Sequence, residues 1–79
     1  MKKHFSTFDL GLCAALVTLK YELLKLDKTD PKKCRFVFKE TKDIEQTMLK
    51  YWNDELTVPA LTFFTTLKNL KTRIYSNNE

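Results

Sequence analysis

Tyr21-Glu22-Leu23-Leu24-Lys25-Leu26-Asp27, then Lys28-Thr29-Asp30-Pro31-Lys32-Lys33, then Cys34-Arg35-Phe36-Val37-Phe38-Lys39 is the stretch whose reading decides the fold. Its last part alternates apolar and polar residues, the period of a half-buried strand, and a strand must find a backbone partner. Asp30-Pro31 opens a turn, because proline presets φ and the aspartate side chain caps the backbone that follows. A hairpin of residues 21–27 against 34–39 satisfies both signals. Two rivals stay open. Residues 21–26 are good helix formers, so one helix from Asp9 to Asp27 is allowed. Alternatively Phe5-Ser6-Thr7-Phe8, also alternating, pairs with 35–39 in a strand–helix–strand unit.

Working outward, Thr7 or Asp9 can cap a helix over Leu10–Leu19, which is apolar all round and therefore buried on most sides. On the other side, Ile44, Met48, Tyr51, Trp52 and Glu55 mark one face of a helix over about 42–54, stopped by Asn53-Asp54. Pro59 suits the first position of a third helix reaching Tyr75, with Ala60, Phe63, Phe64, Leu67, Leu70, Lys71 and Ile74 at the 3.6 period. The predicted fold is α+β, a small β-α-β-β-α-α domain with an antiparallel sheet packed against helices. Residues 1–79 form one domain, with an ordered core over about 4–75 and a low-complexity tail Ser76-Asn77-Asn78-Glu79.

With 79 residues the core is thin, and ten aromatics, 13% of the chain, are expected to supply most of its bulk. A single histidine and a single glycine exclude a multi-His metal site and the glycine-rich phosphate loops. His4, near the N-terminus, has no neighbour in sequence to hold it as a catalytic base, and is expected to be exposed. Asp43 and Glu45 are two apart on a helix and point to different sides, which suits capping rather than acid–base work. The expectation is a protein that is not an enzyme and takes no cofactor or metal. Cys13 and Cys34 fit no zinc or redox spacing; they read as small buried residues of a reducing cytoplasm, or else as a disulfide from the first helix to the sheet. Lys2-Lys3 before the apolar run imitates a secretory signal, but Asp9 stands immediately before the run and no small-x-small cleavage site follows. The ten residues Leu10–Leu19 are too short to span a bilayer, so a membrane protein is not expected.

Several motifs come in a fixed order: Phe5-x-Thr7-x-Asp9-Leu10-Gly11-Leu12, Phe36-x-Phe38, Tyr51-Trp52-Asn53, and Phe64-x-x-Leu67-Lys68-x-Leu70-Lys71-x-Arg73-Ile74-Tyr75. In these the chain resembles a family of short prokaryotic and phage-borne proteins classed only as a domain of unknown function. The resemblance covers about Phe5 to Tyr75. It places a glycine where Lys20 stands here, and a glycine there would end the first helix and favour the hairpin. It implies no catalytic residue, cofactor or partner.

The charge distribution narrows the search for function. The net +4 divides into +5 over residues 1–39, −3 over 40–55 and +2 over 56–79, with no acid between Leu56 and Asn78. If Phe36, Phe38, Leu24 and Leu26 face the core, then Tyr21, Leu23, Lys25, Arg35, Val37 and Lys39 face away, with Lys28, Lys32 and Lys33 on the turn. A cationic sheet face with an aromatic is what single-strand binders use. The third helix adds Lys68, Lys71 and Arg73 beside the short donors Thr62, Thr65, Thr66, Asn69 and Thr72, which suit a phosphate backbone. The expected function is therefore non-enzymatic, cytoplasmic binding of DNA or RNA, mainly through the backbone. Its expected contacts are Tyr21, Lys25, Lys32, Lys33, Arg35, Lys39, Lys68, Lys71 and Arg73. The competing expectation is a protein-interaction module, meaning a homodimer, an adaptor or a phage-type inhibitor, that uses Leu23, Val37, Tyr51 and Trp52 as an apolar patch.

Overall fold

In the computed structural model, which describes residues 4–75, strand β1 (His4–Thr7) leads into helix α1 (Leu10–Thr18). Strands β2 (Leu23–Asp27) and β3 (Arg35–Lys39) and helices α2 (Ile44–Trp52) and α3 (Ala60–Tyr75) follow. Lys2, Lys3 and the tail 76–79 lie outside the described residues. This is the expected β-α-β-β-α-α order and a small α+β domain. The sheet order is β1-β3-β2, with both pairings antiparallel. The hairpin and the strand–helix–strand unit were thus never alternatives. A strand has two edges, and β3 uses both, lying between β1 and β2, which run parallel with α1 crossing between them.

Local chemistry sets the ends of α1. Thr7 and Asp9 share the N-terminus: the Asp9 amide donates to Thr7 Oγ1 at 3.1 Å, and the Leu12 amide donates to Asp9 Oδ1 at 2.8 Å. Such a cap contributes about 1 kcal/mol. At the other end the Lys20 amide donates to the Val17 carbonyl and the Tyr21 amide to that of Leu16, at 2.9 and 3.0 Å. This is a Schellman stop, and Lys20 takes the left-handed conformation it requires, φ 79°. The long helix from Asp9 to Asp27 is excluded by that turn. Helix α2 ends in the same way, with Asp54 at φ 61° and the Glu55 amide donating to the Lys50 carbonyl at 2.8 Å.

The core comprises Leu12, Cys13, Ala14 and Leu16 of α1, Phe36 and Phe38 of β3, Ile44 of α2 and Leu70 of α3. Helix α1 is the hub. Six of its nine residues are buried, against one in α2 and one in α3. The single glycine, Gly11, is a consequence of that crowding: a Cβ there would collide with the Tyr51 hydroxyl, which reaches across from α2 towards Asp9.

Three sequence expectations about facing need correction. A bulge between Leu23 and Lys25 puts two residues of β2 opposite Val37, so the alternation changes phase. Leu23 and Leu26 therefore pack on the core, while Leu24 is exposed. Val37 points to the sheet face away from the core cluster, yet it is 6% exposed because the central residue of a central strand is flanked on both sides, by Ser6 and Lys25 in register. Finally, four of the ten aromatics do not serve the core: Phe8, Trp52, Phe64 and Tyr75 are each more than half exposed.

Candidate functional site

The sequence spreads its expected contacts over a sheet face and a helix; the fold sorts them differently. Arg35 is engaged within the sheet, its guanidinium 2.8 Å from Asp27 Oδ2 across the β2–β3 pair. The Thr29 hydroxyl donates to the same carboxylate at 2.6 Å, and these bonds, Thr29 first and Arg35 next, hold Asp27 well below the usual carboxylate range. Lys39 lies at the opposite end of β3, in a shallow groove that also carries the acids Glu22 and Asp43. Tyr21 does not offer its ring to solvent as expected. It is half-buried against the core, and its hydroxyl lies 2.8 Å from Thr47 Oγ1. Lys25 is exposed on the outer sheet face.

The turn cations meet the end of α3. Lys28 Nζ donates to the Arg73 carbonyl at 2.9 Å, which ties the β2–β3 connection to the last turn of the helix. Carbonyl oxygens near the C-terminal end of a helix favour a cation. Around this junction opens a cleft of about 620 Å³ lined by Phe8, Lys28, Lys32, Lys33, Phe36 and Tyr75, among others. Asp30 also lines it, but its carboxylate accepts the Lys32 amide at 2.9 Å and serves the turn. Lys33 Nζ sits 4.6 Å from the centre of the Phe8 ring, a cation–π contact that holds the ammonium at the mouth.

Helix α3 carries three stripes. Phe63, Leu67, Leu70 and Ile74, at i, i+4, i+7 and i+11, pack on the core. On one flank Thr66, Asn69 and Arg73 line a groove with Tyr21 and Leu23. On the other flank Leu61, Phe64, Lys68, Lys71 and Tyr75 recur at i, i+3, i+7, i+10 and i+14, and all five are exposed. Lys68 Nζ lies 5.4 Å from the Phe64 ring centre, a second cation over a second exposed aromatic. The stripe is about 21 Å long at the helical rise and ends at the cleft through Tyr75. Sequence reasoning assigned Phe64 to the core, placed Lys28 on the turn without counting it among the contacts, and missed Phe8, Leu61 and Tyr75. The signal available was the second heptad-like spacing 61, 64, 68, 71, 75, which overlaps the stronger core spacing.

The expected apolar patch is not assembled. Leu23 and Tyr51 are half-buried against the core and Val37 is buried, so of the four only Trp52 is a surface residue. Trp52 stands edge-on to Tyr51, with ring centres 5.2 Å apart. Leu49, one turn back on α2, is exposed beside it, and the surrounding 40–55 segment carries the acidic excess. Both cysteines are free thiols. Burial pushes Cys13 up to about 12, with neighbouring Cys34 acting the same way and Arg73 opposing. Burial also raises Cys34, against Lys28. Among the described residues no three His, Cys, Asp or Glu side chains gather as a metal site, and no helix is long and apolar enough to cross a membrane.

The chain matches a family described as a domain of unknown function (DUF5659) over residues 2–76, and it belongs to that family. No curated protein and no solved structure matches it.

Proposed function

We propose that this member of the family is a non-enzymatic, cytoplasmic protein that binds nucleic acid through its phosphate backbone, with little sequence specificity. One observation carries the reading: exposed aromatics and cations are interleaved on one continuous surface. Phe64, Lys68, Lys71 and Tyr75 lead along α3 to a cleft that holds Lys28, Lys32, Lys33 and Phe8. Scattered surface lysines are ordinary, and single exposed apolar residues need no explanation. Three exposed aromatic rings, two with an ammonium over them, beside an acid-free helix face and a lysine-rich turn are not ordinary. Phosphates would meet Lys32, Lys33, Lys68 and Lys71, with Lys25 and Arg73 on flanking surfaces. Arg35 and Lys39 contribute less, since Asp27 pairs with the first and Glu22 and Asp43 lie near the second.

Fluorescence anisotropy with labelled single- and double-stranded oligonucleotides at two salt concentrations tests this. Affinity should fall steeply as salt rises, because each neutralised phosphate releases counterions. Absence of binding tighter than about millimolar at low salt would overturn the reading.

A second reading keeps one specific observation of its own, the exposed Trp52–Leu49 pair within the acidic segment 40–55. It makes the protein an interaction module, meaning a homodimer, an adaptor or a phage-type inhibitor. A homodimer seen in light scattering and abolished by Trp52→Ala, with the fold intact, would favour it over nucleic acid.

A further inference from the structure

We infer that the ligand of this surface is an unpaired nucleic-acid strand, whose bases stack on Phe64 and Tyr75 and whose path ends in the cleft beside Phe8; this rests on the nucleic-acid reading above. A duplex hides its base faces and presents phosphates, so cations alone would serve it, and exposed rings would add only an apolar surface to its polar backbone. An unpaired strand offers both groups in alternation, and aromatic side chains between cations are how such strands are held without regard to sequence. The stripe on α3 offers partners for both groups. Phe64 and Tyr75, 54% and 79% exposed, flank Lys68 and Lys71 within it. Its order along the helix is ring, cation, cation, ring.

The cleft adds depth to the stripe. Its 620 Å³ exceeds what a lysine side chain needs and is of the size that holds small ligands. Phe36 forms part of its floor, Pro31 and Phe8 its wall, and Tyr75 its junction with the stripe. Lys33 rests on the Phe8 ring. An arriving phosphate draws that ammonium away, since an anion is a better partner for a cation than a ring face, and the exposed ring is then open to a base. Backbone binding and base stacking are coupled through one lysine.

The test is binding by the full chain to three probes of equal length: an unpaired homopolymer (oligothymidylate and oligouridylate in parallel), the matching duplex, and an abasic strand with the same phosphates and no bases. The expected result is tighter binding of the unpaired strand than of the other two by about tenfold or more. Phe64→Ala and Tyr75→Ala should each weaken the unpaired strand by roughly tenfold, leave the abasic strand and the salt slope unchanged, and leave circular dichroism and the melting temperature intact. Lys71→Gln should instead lower the salt slope for all three probes. Either homopolymer behaving in this way supports the proposal. Equal binding of duplex, abasic and unpaired strands, insensitive to Phe64→Ala and Tyr75→Ala, overturns the proposal and leaves backbone binding standing. Failure to bind any probe overturns both. Self-association lost on Phe64→Ala, with no nucleic acid bound, would make the stripe a protein interface instead.

Discussion

Helices α1 and α3 both carry aliphatic residues at helical spacing, yet they obey different constraints. In α1 nine residues include six that are buried, no charge, and the only glycine of the chain. In α3 sixteen residues include one that is fully buried, three cations, and a second apolar-aromatic stripe left in solvent. Everything about α1 follows from packing, because each of its sides meets the sheet, α2 or α3. Packing explains only the 63, 67, 70, 74 stripe of α3. An exposed stripe that costs solubility without adding to the core is where a binding function is to be sought.

That contrast is breakable by substitution. Leu16, fully buried in α1, should cost most: Leu16→Ala should destabilise the domain by about 2–5 kcal/mol in urea denaturation. A cost near that of a surface change would show α1 to be no hub. Gly11→Ala comes next, at about 1–3 kcal/mol, because the new methyl meets the Tyr51 hydroxyl. Tyr51→Phe in the same chain removes that oxygen and should recover part of the loss; an additive double mutant would refute the collision.

Cys13 gives α1 a pH dependence of its own. Its thiol stays protonated in the fold up to about 12, whereas the unfolded thiol ionises near 9.0. The raised folded value means that its contribution is fully present below pH 9.0 and is lost as pH rises from there towards 12. Stability should fall by about 1.4 kcal/mol per pH unit across that window, on top of other alkaline effects. Comparison of the pH slopes of wild type and Cys13→Ala isolates it, since the cavity left by the smaller side chain shifts both ends alike.

Lys20→Gly works in the opposite direction. Lys20 holds a left-handed conformation at the end of α1, which glycine adopts without the Cβ penalty. The gain should be about 1 kcal/mol, raising the melting temperature by roughly 4–8 °C. Smallest of all, Phe64→Ala on the exposed stripe should change stability by less than about 0.5 kcal/mol, by calorimetry. A large loss there would return Phe64 to the core and remove the contrast between the two helices.

Much of this architecture was legible in the residues. The alternation of 35–39, the all-round apolar run of α1 and the periods of α2 and α3 are local signals, and local signals carry through when neighbouring residues demand the same structure. The Asp30-Pro31 turn and the Asn53-Asp54 stop were read from the same chemistry. Three features were not legible, each for a physical reason. The bulge in β2 depends on register with β3, so Leu23 and Leu24 exchange faces although both are leucine. The burial of Val37 depends on its strand lying centrally, which a pairwise hairpin does not imply. The exposure of Phe64 and Tyr75 depends on which side of α3 meets α1, and two overlapping stripes offered both choices.

Sequence alone determined the elements outside residues 21–27, the scarcity of catalytic side chains and the segregation of charge into a basic front, an acidic 40–55 segment and an acid-free α3. Those are properties of composition and near-neighbour spacing, which do not need the chain to be folded. Only the tertiary structure decided that β3 binds two strands at once, that Arg35 spends its charge on Asp27, and that the turn lysines meet the end of α3 at Lys28 and Arg73. The first and last of these join residues far apart in the chain, and the second needs the register of β2 against β3. Their geometry is set by how α1 fills the core between the sheet and the last helix.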